Sequence, residues 1–182
     1  ERDGIKDNRG FGLSGFGNVY AEYDLLDGLV LRTSLGGNLY NFGGYGYTRR
    51  SYENSENNSS FGYNEFYGNG YSWVFTNTAQ YKKNFGDMHS LDVLVGQEAL
   101  TDGRGRNISA SGLDPFTTDP AYITLSTVSN RVVNSSNNTH WNYFSLFGRV
   151  HYGLKEKYYL TGVVRRDGSS RFGSTTRYGV FP

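Results

Sequence analysis

The chain has 182 residues, with 18 Lys+Arg against 17 Asp+Glu and a formal net charge of +1, so no global field points to nucleic acid or to an acidic partner. It has no cysteine, which removes disulfide frameworks, Cys-based zinc sites and thiol chemistry. Gly (25), Tyr (16) and Phe (12) set its character; no run of about 18 apolar residues exists, which excludes a membrane-spanning helix but not a β-barrel, where only alternate strand residues meet lipid.

The first residues, "ERDGIKDNRG", lack the apolar stretch of a signal peptide, so the chain reads as mature or cut. Gly10, Gly12 and Gly15 spell G-x-G-x-x-G, but the segment behind them, "FGNVYAEY", alternates as a strand instead of opening a helix, so a flexible strand entry is the better reading. Val19, Ala21 and Tyr23 alternate with Tyr20, Glu22 and Asp24. After Asp27-Gly28, Leu29, Leu31, Thr33 and Leu35 alternate with Val30, Arg32, Ser34 and Gly36, which predicts a first hairpin.

Trp73, Phe75, Ala79 and Tyr81 lie opposite Thr76, Thr78, Gln80 and Lys82, and Gly86-Asp87 turns the chain into Leu91, Val93 and Val95 against Asp92, Gly96 and Glu98. This is a second hairpin, with Asn77 interrupting its apolar face as a bulge or a tolerated amide. The third begins with Phe144, Leu146, Gly148, Val150 and Tyr152 against Ser145, Phe147, Arg149 and His151. Its second strand, Tyr158 to Asp167, offers two equal registers. No segment keeps a 3.6-residue period, so the class is all-β: about six antiparallel strands in three hairpins. Stretches 41–70 and 101–140, built from Gly, Asn, Ser and Tyr, read as long polar loops at one end of the hairpins, with tight turns at the other.

The apolar face of these strands carries no charge, which suits lipid and a soluble β-sandwich core alike. Strands of about 10 residues, and Tyr23, Tyr81 and Tyr152 lined up beside the short turns, favour a membrane barrel. Barrels start at about 8 strands and an open edge in lipid leaves amides unsatisfied, so residues 1–182 are expected to be one part of a larger barrel domain. The alternative is an extracellular carbohydrate-binding β-sandwich.

Catalytic chemistry finds no support. His89, His140 and His151 are scattered without the i, i+4 pairing of a zinc site, Ser111, Ser135 and Ser136 stand in no nucleophile elbow, and no cofactor is implied. A hydrolase would need a nucleophile and base that are not offered. Sequons at Asn58, Asn107 and Asn134 are chance matches in an Asn/Ser-rich chain. Candidate polar residues of a lumen wall are Arg32, Asp92, Arg149, Arg165, Arg166, Asp167 and Arg171. The guanidinium groups of "VVRRDGSSRFG" suit a substrate carboxylate, sugar hydroxyls or anionic headgroups; the plainer reading is an Asp167-Gly168 turn with Arg–Asp pairs. Tyr45, Tyr47, Tyr63, Phe66, Tyr67 and Tyr71 are candidate substrate or lid contacts, or else pack their loop on itself.

"RRDGSSRFG" followed by "RYGVFP" resembles the SusC/RagA family of TonB-dependent outer-membrane transporters, and "NYFSLFGRVHYGLKEKYYLTG", "WVFTNTAQYKKNFGDMHSLDVLVGQEA" and "NVYAEYDLLDGLVLRTSLG" are similar to successive family hairpins. The resemblance implies a 22-stranded barrel with a plug, importing glycans, oligopeptides or similar nutrients. It implies TonB, outer-membrane lipid and a SusD-like surface lipoprotein as partners, the chain being expected as a middle part of the barrel, without plug domain, signal peptide or TonB box.

Overall fold

The computed structural model describes residues 6–52, 57–137 and 140–182. The opening pentapeptide, and residues 53–56 and 138–139 of the two stretches expected as loops, lie outside the described residues. Among the described residues eight strands follow one another: β1 (Lys6–Leu26), β2 (Leu29–Thr48), β3 (Gly62–Phe85), β4 (His89–Leu113), β5 (Ser129–Asn137), β6 (Trp141–Leu154), β7 (Tyr158–Ser169) and β8 (Tyr178–Phe181), with a 3-10 turn at Pro120–Tyr122. They form one sheet in the order β1-β2-β3-β4-β6-β7-β8, with β5 paired to β4. The three expected hairpins are β1-β2, β3-β4 and β6-β7. β5, an Asn/Ser-rich segment, and β8, only 4 residues long, join them. No second sheet covers the apolar face among the described residues, so the β-sandwich is set aside.

Two expectations change. The polar stretches are not simple loops: β1 to β4 run for 21, 20, 24 and 25 residues and carry the chain through much of them. Gly, Asn and Ser signal turns when read locally, but cross-strand pairing, as between Asn107 and Ser136 or Ala110 and Val133, holds the same residues extended. Asp167 and Gly168 are not a turn either; both lie inside β7, paired with Ser145 and Phe144.

The chain divides into two compact units. One comprises Phe16–Asn38, Tyr71–Arg104 and the chain from β6 onward. Its tight turns are Asp27-Gly28, Gly86–Met88 and Lys155–Lys157. Gly28 has φ +79°, and a Cβ there would collide with the carbonyl oxygen of Lys82, whose N–H donates to Gly28 O at 2.7 Å; the turn admits little else. Pairing sorts the faces. Leu91, Val93 and Val95 oppose Tyr152, Val150 and Gly148, which in turn oppose Leu160, Gly162 and Val164. This settles the open register of β7, placing Tyr158, Leu160 and Val164 on the apolar face. Asn77 stays on that face as a tolerated amide. The hydrogen bonds that Thr76 makes to Glu98 and Gln80 to Asp92, on either side of it, keep the alternation unbroken. The apolar face is bare: Leu160 is 72% exposed, Val19 68% and Val95 53%.

The other unit comprises residues up to Gly15, Leu39–Gly70 and the stretch from Gly105 through β5. It has a core of its own, where Tyr47, Phe61, Tyr63, Ile123 and Val128 are buried with Tyr45 and Leu125 packed against them. The segment between β4 and β5 folds back to supply Ile123, Leu125 and Val128. Asp114 fixes its start, accepting Arg50 Nη2 at 2.7 Å and Phe61 N at 2.9 Å. The Asp119 carboxylate accepts Ala121 N at 3.0 Å to cap the 3-10 turn.

Candidate functional site

On the polar face of β4, β6 and β7, alternate residues point the same way and converge on two ion-pair networks. Arg149 Nη2 donates to Asp92 Oδ2 at 3.3 Å, and Gln80 Nε2 donates to the same carboxylate at 2.9 and 3.1 Å. Arg165 Nε donates to Asp167 Oδ1 at 2.6 Å, while its Nη2 reaches Glu98 Oε1 at 3.2 Å and Ser145 Oγ at 3.1 Å. Ser145 is buried beneath them. Thr76 Oγ1 donates to the second Glu98 oxygen at 3.5 Å. On β1 and β2, Arg32 pairs with Glu22 at 3.4 Å and lies 4.4 Å from the Tyr20 ring centre. Each of these three cations thus has a carboxylate, and Asp92 and Glu98 each have a second donor, an arrangement that holds extended side chains in fixed positions on the polar face.

Five of the seven polar candidates, Arg32, Asp92, Arg149, Arg165 and Asp167, share this face. Two do not. Arg166 cannot share a face with Arg165 in a strand whose side chains alternate; it pairs with Leu146 and Val180 on the apolar face, stacked 4.2 Å from the Tyr178 ring centre. Arg171 lies beyond β7 in the turn, 3.8 Å from the Trp141 ring centre. Sequence reading placed Glu98 on the charged face but gave no sign of its partner 67 residues later. Gln80, Thr76 and Ser145 were not singled out because their role appears only across strands.

The six aromatic candidates separate; all but Tyr71 belong to the other unit. Tyr47 and Tyr63 are buried, and Tyr45 packs beside them, so these three help hold the unit together. Rings of Tyr47 and Phe61 stack at 5.9 Å, and Tyr63 Oη donates to Glu65 Oε1 at 2.6 Å. Burial and that hydrogen bond both push the Tyr63 hydroxyl pKa up. Phe66, Tyr67 and Tyr71 remain exposed. Phe66 belongs to a row with Phe42, at 6.4 Å, and Tyr40, 6.2 Å further on. Glycines flank the row: a Cβ on Gly68 would strike the Phe42 ring, and one on Gly44 would sit 3.0 Å from Phe66. Tyr40 and Phe42 were missed because they lie in a strand-like run, outside the Tyr-rich stretch. Phe116 and Tyr122, 80% and 64% exposed, stand out from the covering segment. Among the described residues no cluster of His, Cys, Asp or Glu is arranged to hold a metal ion.

No family model matches the chain. It is 30% identical over 174 residues to the TonB-dependent receptor SusC of Bacteroides thetaiotaomicron, covering 91% of this chain and 16% of that protein. It is equally 30% identical over 184 aligned positions to a TonB-dependent receptor of Formosa agariphila, covering 98% and 17%. Among solved structures it superposes on the RagAB peptide transporter with a TM-score of 0.80 at 25% identity, and on the RagAB peptide importer in its open-open state with 0.82 at 26%, covering 97% of this chain and 20% and 19% of those chains. The chain belongs to the SusC/RagA family of TonB-dependent receptors. It spans about a sixth of the length of the curated relatives it matches, and its strands superpose on a section of a larger SusC/RagA barrel. These SusC/RagA relatives are receptors and transporters, not enzymes.

Proposed function

We propose that the chain is a section of the barrel wall of an outer-membrane transporter that imports oligopeptides, glycans or similar nutrients with energy delivered through TonB. The observation that carries this reading is the two-sided sheet of β4, β6 and β7, bare and apolar on one face and ion-paired on the other, in a chain that aligns along nearly its full length with TonB-dependent receptors. In lipid a basic side chain at the midplane costs about 2–4 kcal/mol, which accounts for an exterior without charge around the middle of these strands. The paired Arg32, Asp92, Arg149, Arg165 and Asp167 would border a water-filled lumen beside the plug.

The mechanism is binding and gated passage, without bond chemistry. Side chains locked by reciprocal ion pairs do not collapse into the pathway when a plug moves, so the wall keeps its shape through the cycle. The row Tyr40-Phe42-Phe66 offers flat faces to sugar rings or peptide side chains at low entropic cost. Exposed Phe116 and Tyr122 are the anchors we assign to a SusD-like lipoprotein, in place of Tyr47 and Tyr63. The test is uptake of labelled oligopeptides and oligosaccharides by cells with and without the full receptor, and with TonB deleted. Uptake of at least one class should need both genes; uptake indifferent to the receptor for every class contradicts the proposal.

A further inference from the structure

Arg166 is out of place. On the apolar face, Tyr81, Tyr152 and Tyr158 sit beside the short turns, and Trp73 and Phe144 lie eight residues further along β3 and β6, Phe144 being paired with Gly168, two residues beyond Arg166 on β7. Between these two aromatic rows, Arg166 is the one charged side chain among the described residues. Its surroundings are Val164, Leu146, Val180 and the Tyr178 ring. The nearby carboxylates, Glu98 and Asp167, are on the other face and held by Arg165. The side chain is exposed and none of the described ion pairs includes it.

Its depth is legible. From Tyr158 to Arg166 the strand rises about 26 Å at about 3.3 Å per residue. At a tilt of about 40° that is about 20 Å across an apolar band about 25 Å tall. A guanidinium at that height, on a stem able to reach outward, arrives among headgroups. The guanidinium carbon lies over the Tyr178 ring, 4.2 Å from its centre, and a guanidinium against a ring can still pair with a phosphate through two parallel hydrogen bonds.

We propose that Arg166 and Tyr178 form a docking site for the phosphate headgroup of an anionic outer-membrane lipid. The inference rests on the membrane reading above. It is tested on the full receptor reconstituted into nanodiscs of phosphatidylethanolamine mixed with phosphatidylglycerol, by native mass spectrometry of the lipids retained on release. The wild type should retain phosphatidylglycerol over phosphatidylethanolamine by about tenfold, the scale of one charge-assisted hydrogen-bonded contact. Arg166→Gln should abolish the preference, Arg166→Lys keep part of it, and Tyr178→Leu weaken it with the charge intact. Equal retention of the two lipids by the inserted wild type, or a preference surviving Arg166→Gln, overturns the proposal and leaves the membrane reading standing. A receptor that stays folded in buffer and enters no bilayer sinks the membrane reading itself.

Discussion

Tyr47 and Leu160 are both large apolar side chains on β-strands of one sheet, yet Tyr47 is 4% exposed and Leu160 72%. The first belongs to a unit that folds a segment back over its own strands and buries Phe61, Tyr63, Ile123 and Val128 there. The second belongs to a unit whose described residues bury no large apolar side chain and instead tie their polar side chains together. The difference is one of solvent. Water drives apolar side chains inward in the first. In the second the apolar side needs no protein partner if hydrocarbon supplies the contact, and the polar side must be satisfied by itself and by water.

Mutations should therefore act oppositely in the two units. The largest effect is expected from Phe61→Ala, which removes a buried ring and costs about 3–5 kcal/mol; limited proteolysis should then cut the segment between β4 and β5 while the membrane strands stay resistant. Equal sensitivity of both units would break the comparison. Next comes Val150→Arg on the apolar face, at about 2–4 kcal/mol near the midplane, measured by reversible folding of the full barrel into lipid vesicles. The same change at Arg149's neighbour across the strand, Val163→Arg on the polar face, should cost far less, and similar costs would contradict the assignment of faces.

Arg165→Gln removes the shared partner of Glu98 and Asp167. Since all three side chains are partly exposed, about 0.5–1 kcal/mol is expected, read as a small shift in the same vesicle assay that shrinks as salt rises.

The smallest effect concerns pH. The Arg50 side chain, and then the Phe61 N–H, hold the Asp114 carboxyl below the ordinary aspartate range. A carboxyl whose native pKa is depressed contributes fully above its ordinary value, about 4, and progressively less as pH falls through its native value. A nitroxide at Thr118 should keep constant mobility from neutral pH down to about 4 and loosen below it, and Asp114→Asn should loosen it throughout. A label whose mobility changes between pH 7 and 5 would sever this link.

Much of the membrane unit was legible in the sequence because its physics is local: Leu91, Val93 and Val95 against Asp92 and Glu98 declare a strand and two faces within a few residues. β7 was not legible alone, since Tyr158/Leu160 and Tyr159/Thr161 are equal until β6 fixes the register. For the same reason Arg165 and Arg166 were grouped as one charged cluster when the strand sends them to opposite faces. The other unit was hidden further. Tyr47 and Tyr63 sit in a composition that reads as loop, and their burial depends on Ile123 and Val128, which return from distant sequence.

The most direct test of two solvents uses the absence of cysteine, which lets single cysteines be introduced at successive positions from Leu91 to Glu98 and labelled with nitroxides in the reconstituted receptor. Accessibility should alternate with period two: Leu91, Val93 and Val95 quenched by oxygen, which concentrates in hydrocarbon, and Asp92, Leu94 and Glu98 by a water-soluble nickel chelate. A scan with no alternation, or with Val93 and Val95 open to the chelate, would contradict the account.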